Sequence, residues 1–203
     1  MPTPLLVLFD MDDVLCTYNR QVRAAHFARL AGTTTNAVLD AIWGSGFESL
    51  GDAGTLDADA YLRGCGERIG YSLTLEEWLD ARQAAMVPRP EVLRLVERVR
   101  ERAKVAVLTN NTTLVADHID RLFPELPHLF GRAIYASAGF RAAKPDVDCY
   151  RQCLAMLDVA PSDTLFVDDL PQNVAGAQEA GLSAHHYTSP DTLAELLRSC
   201  GLL

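Results

Sequence analysis

Three short apolar runs, each breaking off into polar side chains, constrain this chain most. Residues 5–9 run into Asp10, Met11 and Asp12, residues 105–108 into Thr109, Asn110 and Asn111, and residues 164–167 into Asp168 and Asp169. A continuous apolar run of this length is the pattern of a parallel strand buried on both faces. Residues 133–136 and 184–187 are weaker strand candidates. Between the later strands lie helical stripes at the i, i+3, i+4, i+7 spacing: Val92, Leu95, Val96, Val99 and Ala103; Tyr150, Cys153, Leu154 and Leu157; Leu193, Leu196, Leu197 and Cys200. Strand and helix therefore alternate from about residue 90 onward, which predicts a doubly wound α/β sheet. Ligands of such sheets sit beyond the carboxyl ends of the strands, where the polar residues fall.

Residues 16–87 read differently. They offer helical patterns, such as Ala58, Tyr61, Leu62, Cys65 and Ile69, and no convincing strand. Thr74 with Glu77 has the spacing of a capping box at the start of a further helix. The expectation is an all-helical insert leaving the sheet directly after the first strand and returning at Pro88 and Pro90, placed over the strand ends as a lid. The sheet domain then comprises residues 1–15 and 88–203, and the insert residues 16–87.

The chain has 203 residues, enough to bury a core that can anchor a precise site. Its net charge of -9 argues against a nucleic-acid partner, which would call for a basic stripe along the phosphates. Five scattered cysteines without a CxxC pair suggest neither a disulfide framework nor a zinc ribbon and fit a reducing, cytoplasmic setting. The N-terminal apolar run is far too short for a signal peptide or a membrane span. No pattern specifies an oligomeric state.

Chemistry concentrates at the strand ends. Asp10 and Asp12 could act as a carboxylate nucleophile and as a general acid and base for phosphoryl transfer. Two such acids facing an anionic substrate call for a hard cation, and Asp168 with Asp169 supplies further oxygen ligands suited to magnesium. The Thr109 hydroxyl and the following backbone N–H groups could hold phosphate oxygens. Lys144 is one of only two lysines in the chain, the other being Lys104 in a charged helix end. It stands in an Ala-Lys-Pro step at a loop-to-helix boundary, placed to give a point positive charge. A lone Asp or Thr after a strand is more often a turn or cap residue; three strand ends in agreement are harder to explain that way.

Asp10-Met11-Asp12, Leu108-Thr109-Asn110, Lys144-Pro145 and Phe166-Val167-Asp168-Asp169 resemble, in order and approximate spacing, the four motifs of the haloacid dehalogenase superfamily. Arg89-Pro90-Glu91-Val92 and residues 162–181 also resemble a subgroup of sugar-phosphate phosphatases related to the bacterial glucose-1-phosphate phosphatase. The resemblance implies a Rossmann-like sheet with a helical cap inserted after the first motif. It implies that Asp10 is the nucleophile and Asp12 the general acid and base, the Asp12 carbonyl also meeting the metal. Thr109, Asn110 and Lys144 then bind the transferring phosphoryl group. Asp169 is the direct magnesium ligand, and Asp168 the supporting carboxylate, directly or through water. The partner implied is a small phosphorylated metabolite, with a sugar phosphate favoured.

Many phosphatases of this family carry glycine where this chain has Asp13, whose side chain either points away, adds charge at the metal, or hydrogen-bonds to the cap. A dehalogenase attacks carbon and needs neither metal nor a second acid, so Asp12, Asp168 and Asp169 weigh against it. The lysine-free stretch 16–87 weighs against a phosphonatase. A sugar phosphomutase shares the same core residues and stays open, and a non-catalytic binding protein is disfavoured by the complete set. Within the insert, Arg20, Trp43, Phe47 and Glu48 are candidates for substrate contact. His185 and His186 point to opposite faces of their strand and do not suit one ion. Cys149 and Cys153 read as core.

Overall fold

A computed structural model describes residues 3–203, so the first two residues of the expected sheet domain lie outside it. The chain runs β1 (Leu6–Phe9), β2 (Cys16–Tyr18), α1 (Arg20–Ala31), α2 (Thr35–Leu39), α3 (Phe47–Asp52), α4 (Ala58–Ile69), α5 (Leu75–Ala84), β3 (Met86–Pro88) and α6 (Pro90–Val99). It continues with β4 (Lys104–Thr109), α7 (Thr113–Asp117), α8 (Ile119–Leu122), α9 (Glu125–Phe130), β5 (Ile134–Ala136), α10 (Val147–Leu157), β6 (Thr164–Asp168), α11 (Pro171–Glu179), β7 (Ser183–His186) and α12 (Pro190–Ser199). A single turn of π-helix over Asp40–Gly44 joins the α2 and α3 regions.

The main sheet is five-stranded in the order β5-β4-β1-β6-β7, and every pair is parallel. β1 lies at its centre, which explains its unbroken apolar sequence: all four residues are fully buried. Val7 and Phe9 join one apolar cluster with Val107, Leu165 and Val167, while Leu6 and Leu8 join a second with Ala106, Leu108 and Phe166 on the opposite face. Burying side chains of this size stabilises by about 1.5–3 kcal/mol each. No helix of the described residues is long and apolar enough to cross a membrane.

Register sets the site. Phe9 lies opposite Val167, so Asp10 and Asp168 emerge at the same level on neighbouring strands, and Asp10 N–H donates to the Val167 carbonyl at 2.8 Å. Phe9 also lies opposite Val107, so Leu108 stands level with Asp10 and Thr109 one residue further out on the other side.

The insert corrects one expectation. Residues 16–87 are not free of strand, because β2 and β3 pair antiparallel, Cys16 opposite Pro88 and Tyr18 opposite Met86. Asn19 N–H to the Ala85 carbonyl (2.9 Å) and Arg89 N–H to the Leu15 carbonyl (2.9 Å) extend this ribbon, so chain exit and return are bolted together. Three residues per strand, with partners some seventy positions apart, leave no alternation for a sequence to display. Between them lie the helices. Their buried side chains, including Phe27, Val38, Tyr61 and Trp78, belong to the same cluster as Phe9. The Thr74–Glu77 capping box is present in both directions: Glu77 N–H donates to Thr74 Oγ1 at 3.3 Å and Thr74 N–H to Glu77 Oε2 at 2.9 Å.

Candidate active site

Asp10, just past β1, is only 6% exposed and faces Lys144, whose Nζ lies 2.7 Å from Asp10 Oδ1 and 2.7 Å from Asp168 Oδ2. The lysine is held from its backbone. Its N–H donates to Asn110 Oδ1 at 2.9 Å and its carbonyl accepts from Asn110 Nδ2 at 2.8 Å. The side-chain amide of Asn110 is thereby occupied as a brace for Lys144. Asp168, fully buried at the end of β6, accepts further from Leu170 N–H at 2.8 Å and from Asn173 Nδ2 at 3.0 and 3.1 Å. It stands behind the site as a hub, while Asp169 lines the cavity.

Asp12 is held from two sides. Arg82 Nη2 reaches both its carboxylate oxygens, at 2.8 and 2.7 Å, and Asn111 Nδ2 lies 3.2 Å from its Oδ2. The same Asn111 amide donates to Thr109 Oγ1 at 2.8 Å, linking the end of β4 to the acid beyond β1. Asp13 takes the left-handed conformation (φ 62°), which costs a non-glycine residue and explains the glycine common at this place. Its carboxylate accepts from Tyr18 N–H at 3.2 Å, so Asp13 anchors β2.

Carboxylates outnumber cations at the strand ends. One oxygen from each of Asp10, Asp168 and Asp169 falls within a 4.8 Å cluster. Burial pushes the Asp10 carboxyl well above its ordinary range, opposed by Lys144 and reinforced by Asp168 and Asp12. Asp169 is pushed up to about 6, by burial first and then by Asp168 and Asp13. Burial works against the Lys144 charge, but Asp10 and Asp168 more than offset it and its pKa is raised. Burial is the first cause of both carboxyl shifts, and negative charge from the neighbouring carboxylates adds to it. Three hard oxygen donors at this separation suit a magnesium ion.

The cavity above, of about 470 Å³, is lined by Asp10, Asp12, Thr109, Asn110, Lys144 and Asp169 below and by Arg20, Trp43 and Glu48 from the insert. Phe47 is a correction. It is 3% exposed and stacked on Tyr61 at 5.6 Å between ring centroids, so it packs the insert and does not line the cavity. Cys149 and Cys153 are buried in the core. His186 Nε2 meets the Asp169 carbonyl at 2.9 Å, while His185 Nε2 is buried with no hydrogen-bond partner among the described residues.

Sequence reasoning missed Arg82, Asn173 and Asp52, all of which line this cavity, and named Asn111 only as a polar residue at a strand end. Arg82 did leave a signal. It falls four residues after Trp78 and three after Leu79, on the buried face of α5, where a charge calls for a partner.

Residues 5–181 match the sequence model of a family described as haloacid dehalogenase-like hydrolase. The chain is 30% identical over 191 residues to the sesquiterpene phosphatase astK of Aspergillus oryzae, covering 92% of this chain and 90% of that one. Its fold resembles that of a HAD family enzyme from Bacteroides thetaiotaomicron solved with magnesium and inorganic phosphate: TM-score 0.77, 21% identity, covering 95% of this chain and 98% of that chain. It also resembles the L-2-haloacid dehalogenase of Xanthobacter autotrophicus: TM-score 0.66, 20% identity, covering 98% and 83%. At such identities the structural likenesses establish the architecture alone.

Proposed function

Because the chain belongs to the haloacid dehalogenase-like hydrolases, we propose that it is a magnesium-dependent phosphatase that hydrolyses a small phosphomonoester through an aspartyl phosphate on Asp10. The observation that carries this reading is the pairing of the Asp10–Asp168–Asp169 carboxylate cluster with a second, separately held acid, Asp12. Displacement at carbon needs only one carboxylate. Phosphoryl transfer uses both acids and a cation. Of the relatives described above, one is named a phosphatase and one was solved with magnesium and inorganic phosphate, which supports the same chemistry.

Asp10, Asp169 and the Asp12 carbonyl would hold the magnesium ion, with Asp168 behind them. Bound there, it supplies charge neutralisation and orients the phosphoryl group. Lys144 and the Thr109 hydroxyl, with the N–H groups after β4, hold the phosphoryl oxygens, and Lys144 also fixes Asp10 for in-line attack. As the Asp10 oxygen bonds to phosphorus, the ester oxygen leaves and takes a proton from Asp12. Water then attacks the aspartyl phosphate, giving its proton to Asp12 and returning the bonding pair to Asp10. Residues 16–87 act as the cap that excludes bulk water and shapes the leaving-group pocket.

That pocket favours a polar leaving group. Thr17, Asn19, Gln21, Glu48 and Asp52 line it, with carbon-rich surface from Tyr18, Trp43 and Leu170. Hydrogen-bonding side chains beside an aromatic plane fit a hydroxyl-rich molecule such as a sugar phosphate better than a terpenoid chain. The test is release of phosphate from p-nitrophenyl phosphate with magnesium, followed by a panel of metabolite monophosphates. Activity lost with EDTA and in Asp10→Asn is expected; undiminished turnover in Asp10→Asn would sink the mechanism. A phosphomutase would instead return an isomeric phosphate from a sugar phosphate with little release.

A further inference from the structure

Arg82 is 1% exposed, and among the described residues the hydrogen bonds of its guanidinium all go to Asp12, across the boundary between the insert and the sheet. Taking a guanidinium out of water costs several kcal/mol unless its partners are well placed. The placement here is tight on several sides. The Tyr18 ring lies under the guanidinium, 3.9 Å from its centre, and Asn111 grips the same carboxylate from the core. Arg82 Nε is buried and has no hydrogen-bond partner among the described residues, so the pairing of this guanidinium rests on Asp12. Nη2 seated between both carboxylate oxygens, with the Asn111 amide on Oδ2, fixes the direction in which this carboxylate points.

Resting on the phosphatase reading above, we propose that Arg82 is a positioning residue for the second half of the reaction. It holds the Asp12 carboxylate where that group takes the proton of the attacking water as the phosphorus–oxygen bond to Asp10 breaks. Its position on α5 makes this arrangement depend on the insert being docked on the sheet. The first half is less sensitive when the leaving group is a good one, because p-nitrophenolate departs without a proton.

The experiment uses the full chain with magnesium and p-nitrophenyl phosphate, in rapid-quench and steady-state form, on wild type, Arg82→Met and Arg82→Lys. Slowed dephosphorylation predicts that kcat falls about 10–100-fold, part of the usual acid–base contribution. KM falls with it, so that kcat/KM, which reports the first step, stays within about threefold. Phosphate accumulates on Asp10, and Arg82→Lys recovers part of the loss. In an Asp12→Asn background, Arg82→Lys slows decay of the phosphoenzyme by less than about twofold, since the two residues act as one unit. Arg82→Lys and this cycle keep the test sound if Arg82→Met folds poorly. The proposal is overturned by an unchanged kcat, by kcat and kcat/KM falling together without phosphoenzyme, or by additive effects in the cycle. Wild type that turns over without phosphorylating Asp10 would instead overturn the phosphatase mechanism itself.

Discussion

The sheet and the insert each bury a cation, and they treat it in opposite ways. Under the sheet's strand ends, Lys144 is surrounded by more carboxylate than it can neutralise. In the insert, Arg23 is fully enclosed and its charge is met locally: its Nη1 meets Glu48 at 2.6 Å and Tyr18 at 3.2 Å, its Nη2 meets Tyr61 at 2.7 Å, and the rings of Phe27, Trp43 and Trp78 surround it, while its Nε is buried without a hydrogen-bond partner among the described residues. Tyr61 in turn donates to Glu48 at 2.5 Å. The balanced network holds an architecture together. The unbalanced one stores a demand for a ligand, which is what a site of chemistry looks like from its charges.

The largest effect expected from breaking this contrast is in the sheet. Asp10→Asn should reduce magnesium-dependent phosphate release to background while leaving circular dichroism and melting close to wild type. Next comes Arg23→Met, which leaves the half-buried Glu48 without its cation and should cost about 3 kcal/mol in urea unfolding. Smaller is the response to metal. Magnesium at about 100 times its Kd should stabilise wild type by about 2.7 kcal/mol, seen as a raised Tm. The rise should be lost in Asp169→Asn and kept in Arg23→Met, since only the sheet network is short of positive charge. A Tm rise that survives in Asp169→Asn would remove that residue from the metal site.

The smallest effect concerns the capping box of α5. Hydrogen bonds from the Thr74 backbone, then from Tyr71 and the Thr74 hydroxyl, hold the Glu77 carboxyl below its ordinary 4.5. A carboxyl lowered on folding stabilises above its unfolded pKa, and that contribution fades as the pH falls through the lowered value. Glu77→Gln should therefore flatten, slightly, the fall in stability below about pH 4.5 relative to wild type. Equal slopes for the two proteins would show that the box does not couple to pH.

The central strands were legible because burial on both faces leaves a continuous apolar run, as in β1, whatever the partners are. The helices of the sheet domain were legible through their stripes, and Thr74 with Glu77 through local capping chemistry. The β2–β3 ribbon was not, because its two strands are three residues each and meet only after five helices have brought them together. Asp10, Asp12, Thr109, Lys144 and Asp169 were named from strand ends and motif order, and all reach one cavity. Arg82 was passed over because an arginine inside a helix is ordinary in a sequence; only its burial makes it unusual. Phe47 was misplaced for the converse reason, since an aromatic near a glycine-rich stretch reads alike whether it lines a cavity or packs on Tyr61.

The sequence by itself determined that carboxylates would stand at the ends of buried parallel strands, because hydrophobic period and strand termini are local properties of the chain. Tertiary structure alone decided how those carboxylates are held. Asp12 meets Arg82, seventy residues along, and Asp10 meets Lys144, and the direction of a side chain is set by partners that only the closed fold brings within hydrogen-bond reach.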